Sequence, residues 1–388
     1  MSDDGNDAVG RSALPGGQYR IVRWTRSGGI FNIGMFTANP GQALSIPAGI
    51  STDGAIVAGM AEGYPGFSGG FRAFRWTAAS GLVDLGLLPD PVDGYVGCQG
   101  MSDDGSVIVG DASDVSGRRA YRWTSTAGMT SIGVAGTYEN SLANGVSSSG
   151  DAVVGDCFNG WPGLEREAFL WTTNAGMVLL GRHPCYMRSS ASDVNRNATV
   201  IAGRCWNESA PSYPMRWTPS TGIKLLPIPP QFTTGIITSM SSDGSILAFS
   251  FADSRSADPT SVPYFWTART GLVALQPYLT SKGLDLTAWS LSTVYFSSNG
   301  RFIGGSGKRG GLAEGWIANM PVQCPADLTN DDVVDDADFS VFAAAYDLVV
   351  CGDAAMPEWC PSDINLDDAV NDDDFVMFCR GYDLHTCP

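Results

Sequence analysis

An all-β propeller of seven four-stranded blades, with incomplete blades at its two ends and a small α-helical module after it, is the fold class predicted here, and three observations predict it. A turn pattern Ser-x-Asp-Gly-x-x-Val-x-Gly begins at Ser51, begins at Ser2 and Ser102 with Ala8 and Ile108 in the valine place, and recurs with drift at Ser147, Asn195, Ser241 and Ser297, at intervals of 45 to 56 residues. An aromatic-rich run follows each turn, centred on Trp24, Trp76, Trp123, Trp171, Trp217, Trp266 and Trp316. The last 68 residues carry a different duplication, at an offset of 36. Self-similarity at a period of 20 to 50 residues is the mark of repeat architectures.

Within a repeat, the Asp-Gly pair comes first. Asp104-Gly105 ahead of Val107-Ile108-Val109 is a strong hairpin signal, because glycine accepts a positive φ without steric cost. In Ala73-Phe74-Arg75-Trp76-Thr77 the side chains alternate faces, which sets Phe74 and Trp76 on one side. Gly81 to Gly86 is a third strand bounded by turn glycines, and a run such as Leu44 to Ile50 supplies the fourth. Four strands per 45 to 50 residues fit one propeller blade, whereas the coils of a β-solenoid are shorter. Seven repeats then give a propeller over residues 1–320. The first repeat lacks its opening strand and the last its closing one. Either the ring closes on an incomplete blade or the true start lies upstream of Met1, which would also account for the absent secretory signal.

Charge separates the two regions. From Pro321 onward there are 16 acidic residues and one basic, a net of −15, which leaves 24 acidic and 22 basic residues in the first 320. A chain of net charge −17 without a Lys/Arg cluster makes a nucleic-acid partner unexpected, and no apolar run approaches the roughly 18 residues of a membrane span.

The repeats resemble the bacterial extracellular repeat known for its His-Ala-Phe signature, which reads here as Arg72-Ala73-Phe74, Arg119-Ala120-Tyr121 and Glu167-Ala168-Phe169. That resemblance implies a secreted or cell-surface location more than an activity.

In the acidic region, residues 321–388, oxygen-bearing residues fall at positions 1, 3, 5, 9 and 12 of two twelve-residue loops. They are Asp327, Thr329, Asp331, Asp335 and Asp338, then Asp363, Asn365, Asp367, Asn371 and Asp374, with Val333 and Ala369 offering backbone carbonyls at position 7. Calcium takes six to eight oxygens, and a loop of this length can wrap them around one ion. Two calcium ions are therefore expected. Phe339, Phe342 and Tyr346 then recur at helical spacing. A loop entering a helix, twice, resembles the type I dockerin, which implies docking to a cohesin-type partner. Two departures stand out: Asp332 and Asp368 replace the usual glycine at position 6, and Asp336-Ala337 and Asp372-Asp373 replace the usual hydroxyl pair of partner contact.

Cys324 to Cys351 and Cys360 to Cys387 are both separations of 27, and these pairings are expected. Cys379 is left over as a small buried hydrophobe; Cys185 is expected to pair with Cys205 or Cys157, and Cys98 is unassigned. Paired cysteines favour an oxidising compartment.

Catalysis has little support. The histidines are His183 and His385, neither beside a nucleophile motif, and Glu165-Arg166-Glu167 reads as solvated charge at a blade edge. Arg23, Arg75, Arg122 and Arg216 precede tryptophans at matching places and are expected to pair with turn aspartates such as Asp53 or Asp104. Non-repeating Trp161, Trp206 and Trp289 could stack on sugars. The function expected is non-catalytic ligand recognition or scaffolding by a secreted or surface propeller. The alternatives are a carbohydrate-active enzyme delivered by the same tail, and a purely structural surface protein.

Overall fold

The computed structural model describes residues 1–388 except 14–18, 35, 37–43, 63–69, 161–164, 209–210, 257–259, 321–325, 330–332, 352, 354, 357–359 and 385–388. Trp161, Cys324, Asp331, Asp332, His385 and Cys387 thus lie outside the described residues. The described chain is an all-β propeller fold with a few helices. Strands β1–β3 are Asp7–Ala13, Tyr19–Thr25 and Gly29–Asn32; β4–β7 are Ser45–Ile50, Ile56–Ala61, Arg72–Thr77 and Gly81–Asp84. Strands β8–β12 are Pro91–Val96, Gly100–Met101, Val107–Asp114, Gly117–Thr124 and Gly128–Gly133; β13–β16 are Asn140–Val146, Ala152–Asn159, Glu165–Thr172 and Gly176–Gly181. Strands β17–β20 are Arg188–Val194, Ile201–Trp206, Tyr213–Thr218 and Gly222–Leu225; β21–β24 are Thr234–Met240, Ile246–Ala252, Val262–Thr267 and Gly271–Ala274. After helix α1 (Leu275–Ser281), β25–β28 are Trp289–Leu291, Tyr295–Phe296, Phe302–Arg309 and Leu312–Asn319, followed by helices α2 (Asp336–Tyr346) and α3 (Asp372–Leu384). No described helix is long and apolar enough to cross a membrane.

The repeated turn explains why each hairpin forms where it does. The leading serine donates to the following aspartate (Ser102 Oγ to Asp104 Oδ1, 2.7 Å) and accepts from the backbone five residues on (Val107 N, 3.0 Å). The same pair of bonds recurs at Ser51 and Ser241. The turn glycine adopts a positive φ, 66° at Gly105 and 83° at Gly244. Successive turns are also tied to one another: Asp3 N donates to Thr52 O, Thr52 N to Asp103 O and Asp103 N to Ser148 O, at 2.9 to 3.1 Å. Local side-chain chemistry thus sets the start of the second strand in each repeat and its position beside the next repeat.

The later glycine of the motif has a different reason. A Cβ on Gly155 would lie 1.9 Å from Leu142 O, and one on Gly110 2.2 Å from Gly97 O. The first strand of the sheet bulges at Ala143/Gly145, which drives its carbonyls toward the second strand. We expect Gly155→Ala to destabilise the protein by about 1–3 kcal/mol through overpacking, with equilibrium denaturation as the check.

Seven separate four-stranded blades are not what the described residues form. They make six hydrogen-bonded sheets, of three, four, five, eight, four and four strands in chain order, so that five carry four strands or more. Two long-range features account for the difference. A parallel bridge between Arg166 and Arg188 joins strands of two repeats within one eight-stranded sheet, β13–β20. In the β8–β12 sheet the opening strand breaks between Val96 and Gly100, so β8 and β9 both pair with β10.

The chain divides into two compact units: Met1–Ala198 with Gly203–Ala210, and Thr199–Ala202 with Pro211–Pro388. In the first, neighbouring sheets pack face to face through clusters such as Ala58, Ala73, Val96, Ile108 and Tyr121. In the second, Ile246 and Phe265 pack against Leu291, Ile303 and the α1 residues Leu275 and Leu279. This helix was not expected from the sequence; its buried leucines sit at i and i+4, and Gln276 holds the next strand through Trp289 O and Leu291 N. The repeated tryptophans serve these cores: Trp76 and Trp266 are buried, and Trp123, Trp171 and Trp316 pack against the clusters as half-buried residues.

Candidate functional site

The second acidic loop is described in full. One carboxylate oxygen from each of Asp363, Asp367 and Asp374 lies within 4.8 Å of the others. Asp374 accepts from the backbone of Ile364, Asn365 and Asn371, and Asp363 from that of Asp367 and Asp368, which folds the loop around its own carboxylates. Asn371 caps α3 by accepting from Asp373 N at 2.8 Å, and Asn365 Oδ1 accepts from Asp367 N at 2.9 Å. Burial, with the charges of Asp374 and Asp367 beside it, pushes the Asp363 carboxyl up to about 7. Converging carboxylates are the donor set a hard divalent ion fits. Asp368 at position 6 has a φ of 72° and Leu366 at position 4 a φ of 59°, so both take the left-handed form without glycine. For Leu366 this costs about 1–2 kcal/mol. Its side chain is buried among Val200, Leu226, Phe249 and Trp266, and burying a leucine contributes about 1.5–3 kcal/mol, which offsets the strain.

Of the first loop, Asp327, Thr329, Val333, Asp335 and Asp338 are described. Asp338 is fully buried and accepts from Thr329 N (2.7 Å) and Asp335 N (2.9 Å), while Asp335 caps α2 through Ala337 N. Arg269 donates to the carbonyl of Asp327. Val333 is exposed, and Ala369 forms an antiparallel bridge with Val350.

That bridge corrects the cysteine pairing. Cys351 N donates to Asp368 O, so the end of the first copy lies against the second loop and Cys351 bonds to Cys360 instead of Cys324. Cys360 is accordingly not joined to Cys387. Cys185 is a free thiol, as are Cys98, Cys157 and Cys379, so the expected pairing of Cys185 does not form. Burial pushes the thiols of Cys157 and Cys205 up to about 11 and about 12, which leaves them unreactive. Replacing Cys351 and Cys360 by serine is expected to cost about 2–3 kcal/mol for so short a loop, read by calorimetry under non-reducing conditions.

Sequence reasoning missed a second constellation, in the first unit. Asp111 and Asp156, each directly after the motif glycine, are buried in β10 and β14. Arg118 Nε donates to Asp111 Oδ2 at 2.7 Å, and Arg166 Nη1 to Asp156 Oδ2 at 2.9 Å; Ser190 Oγ (2.7 Å) and Asn144 Nδ2 (3.1 Å) complete Asp156. Burial pushes both carboxyls up, against the pull of Arg118 and Arg166. Arg166 is therefore not solvated edge charge. Of its neighbours, Glu165 is exposed, and Glu167 accepts from Tyr138 Oη (3.0 Å) and pairs with Arg182. The guanidinium groups lie over rings: Arg118 over Tyr95 at 4.3 Å, Arg166 over Phe158 at 4.7 Å and Arg204 over Trp206 at 4.9 Å. Arg204 occupies the repeat position that Asp111 and Asp156 hold in theirs. The signal available in sequence was the charged residue following Val-x-Gly, which in a strand reads as solvent-facing.

The arginines before tryptophan also differ from expectation. Arg75 and Arg122 donate to the turn-glycine carbonyls of the next repeat, Gly105 O and Gly150 O, at 3.2 Å, and Arg23 pairs with Asp7 at 2.6 Å. In the Gly105 turn the aspartate, Asp104, is already engaged by Ser102, and in the Gly150 turn Ser149 stands in its place. Arg216 is buried with its Nε lacking a hydrogen-bond partner, and burial pulls its pKa down against the opposing charges of Asp368 and Asp363. His183 accepts from Cys185 N.

No protein family matches the chain, and no curated protein matches it. Among solved structures it is similar to one from a study of two prolyl endopeptidases (12% identity, TM-score 0.50, covering 83% of this chain and 51% of that one). It is also similar to prolyl oligopeptidase B from Galerina marginata (10%, 0.50, 79% and 45%) and to TolB from Acinetobacter baumannii (14%, 0.46, 69% and 62%). The chain thus spans under two thirds of these structures' own length. At such identities the likeness shows the propeller fold and nothing of activity.

Proposed function

We propose that the chain is a non-catalytic secreted or cell-surface β-propeller for ligand recognition or scaffolding, whose residues 321–388 form a calcium-binding, dockerin-like module that docks to a cohesin-type partner. The observation that carries the calcium reading is the convergence of Asp363, Asp367 and Asp374 within 4.8 Å on a loop whose left-handed turns are already in place. The equivalent first loop would hold the second ion. A disulfide at Cys351–Cys360 suits an oxidising compartment. Docking is supported by the exposed side chains Phe339 and Tyr346 of α2 and Phe375, Val376 and Met377 of α3, which leave apolar surface for a protein partner. Pull-down from secreted protein of a cohesin-bearing bacterium, with calcium and with EGTA, tests it; capture that ignores the chelator would reduce the role of calcium to stability.

One observation favours a carbohydrate ligand at the propeller over a purely structural role. Arg204 is exposed and lies over Trp206 at 4.9 Å. Rings stack on sugars and guanidinium groups hold their acidic substituents. On a glycan array the wild-type chain is expected to retain acidic glycans, and Arg204→Ala with Trp206→Ala to lose at least about tenfold in affinity, about 1.4 kcal/mol. Release of reducing sugar from any hit would support the enzymatic alternative instead.

A further inference from the structure

We propose that the second acidic loop is clamped to the sheets of its own unit, so that calcium binding in the loop and the folding of β19–β23 form one coupled equilibrium. This rests on the calcium reading above. Three contacts define the clamp. Leu366, at loop position 4, projects into the cluster of Val200, Leu226, Leu247, Phe249 and Trp266. Thr199 Oγ1 donates to Leu366 O at 2.9 Å, and Ser220 N, in the turn between β19 and β20, donates to Asp368 Oδ2 at 3.0 Å. The loop is thus held at positions 4 and 6, between the Asn365 amide, the Asp367 carboxylate and the Ala369 carbonyl at positions 3, 5 and 7 that would meet the ion.

The repeat pattern supports the same assignment. Arg75 and Arg122 reach the glycine carbonyl of the next turn, whereas Arg216, at the same place in its repeat, is buried under the influence of Asp368 and Asp363. Arg269 meets the other loop at Asp327 O. Arginines of two propeller repeats thus lie near the two acidic loops. An ion that orders the loop backbone fixes Leu366 and Asp368, and through them the sheets; a loop that opens withdraws the leucine from the cluster around Trp266. Coupling of this kind makes the calcium module an integral part of its unit, not a free tether.

Hydrogen exchange of the full-length chain, followed by mass spectrometry, tests the clamp. With calcium at about 100 times its Kd, exchange through the coupled opening is expected to slow up to about 100-fold relative to EGTA, in peptides covering β19 and β22–β23 as well as the loop itself. In Leu366→Gly, which keeps the left-handed turn and removes the plug, the loop still responds to calcium and the strands do not. Thr199→Val, which keeps the plug and removes one hydrogen bond, shows a reduced strand response. Strands that ignore calcium in the wild type while the loop responds would overturn the clamp and leave the calcium reading intact. Variants whose strands respond as fully as the wild type would also overturn it. A loop that shows no calcium response, together with a flat calcium titration, would instead remove the calcium reading on which the clamp depends.

Discussion

Asp363→Asn in the full-length chain is expected to weaken calcium binding at the second loop by about 100-fold or more, since even residues that only support metal ligands cost about 10–100-fold when changed. Asp363 is the first ligand position, lies buried beside Asp374 and Asp367, and is held by the backbone of Asp367 and Asp368. The amide keeps the shape and one acceptor oxygen, so loss of folding is not the expected route to loss of binding. It removes one of three negative charges, and calcium affinity in such loops depends on ligand charge. Isothermal titration of chelator-stripped protein should show two sites in the wild type and one in the variant. An unchanged titration would exclude the second loop as the site.

Asp156→Ala is expected to destabilise the protein by about 3–5 kcal/mol, the range for breaking a buried ion pair by removing one partner. Asp156 is 1% exposed and takes bonds from Arg166, Ser190 and Asn144. Truncation leaves the half-buried Arg166 guanidinium without its carboxylate and the Ser190 hydroxyl without its acceptor, while Asn144 keeps Ala191 O. Asp156→Asn, which keeps acceptors and loses charge, should cost less. Urea denaturation distinguishes the two; a loss below about 1 kcal/mol for the alanine variant would show that water replaces the carboxylate.

What could be read in the sequence is what local chemistry determines. The Ser-x-Asp-Gly turn is legible because its bonds join residues two to five apart, Ser102 to Asp104 and Val107 being one instance. The helix starts at Asp336 and Asp372 follow from capping residues within the loops themselves. Features set by distant partners were not legible. The Arg166–Arg188 bridge merges strands of two repeats, and the contact of Val350 with Ala369 brings Cys351 to Cys360 across the two acidic copies. Equal separations of 27 residues suggested the opposite pairing, because duplication imposes equal spacing whatever the bonds are. Asp111 and Asp156 were missed for a related reason: a charged residue on a strand is read as solvent-facing until its arginine, from the next strand, is known.

Differential scanning calorimetry of the full-length chain in excess calcium and in EGTA is the most direct test that residues 321–388 form a calcium module. A ligand at about 100 times its Kd stabilises the state that binds it by about 2.7 kcal/mol, so the transition that includes this region should rise by several degrees in calcium and not in magnesium at equal concentration. Superimposable thermograms in calcium and EGTA would contradict the account.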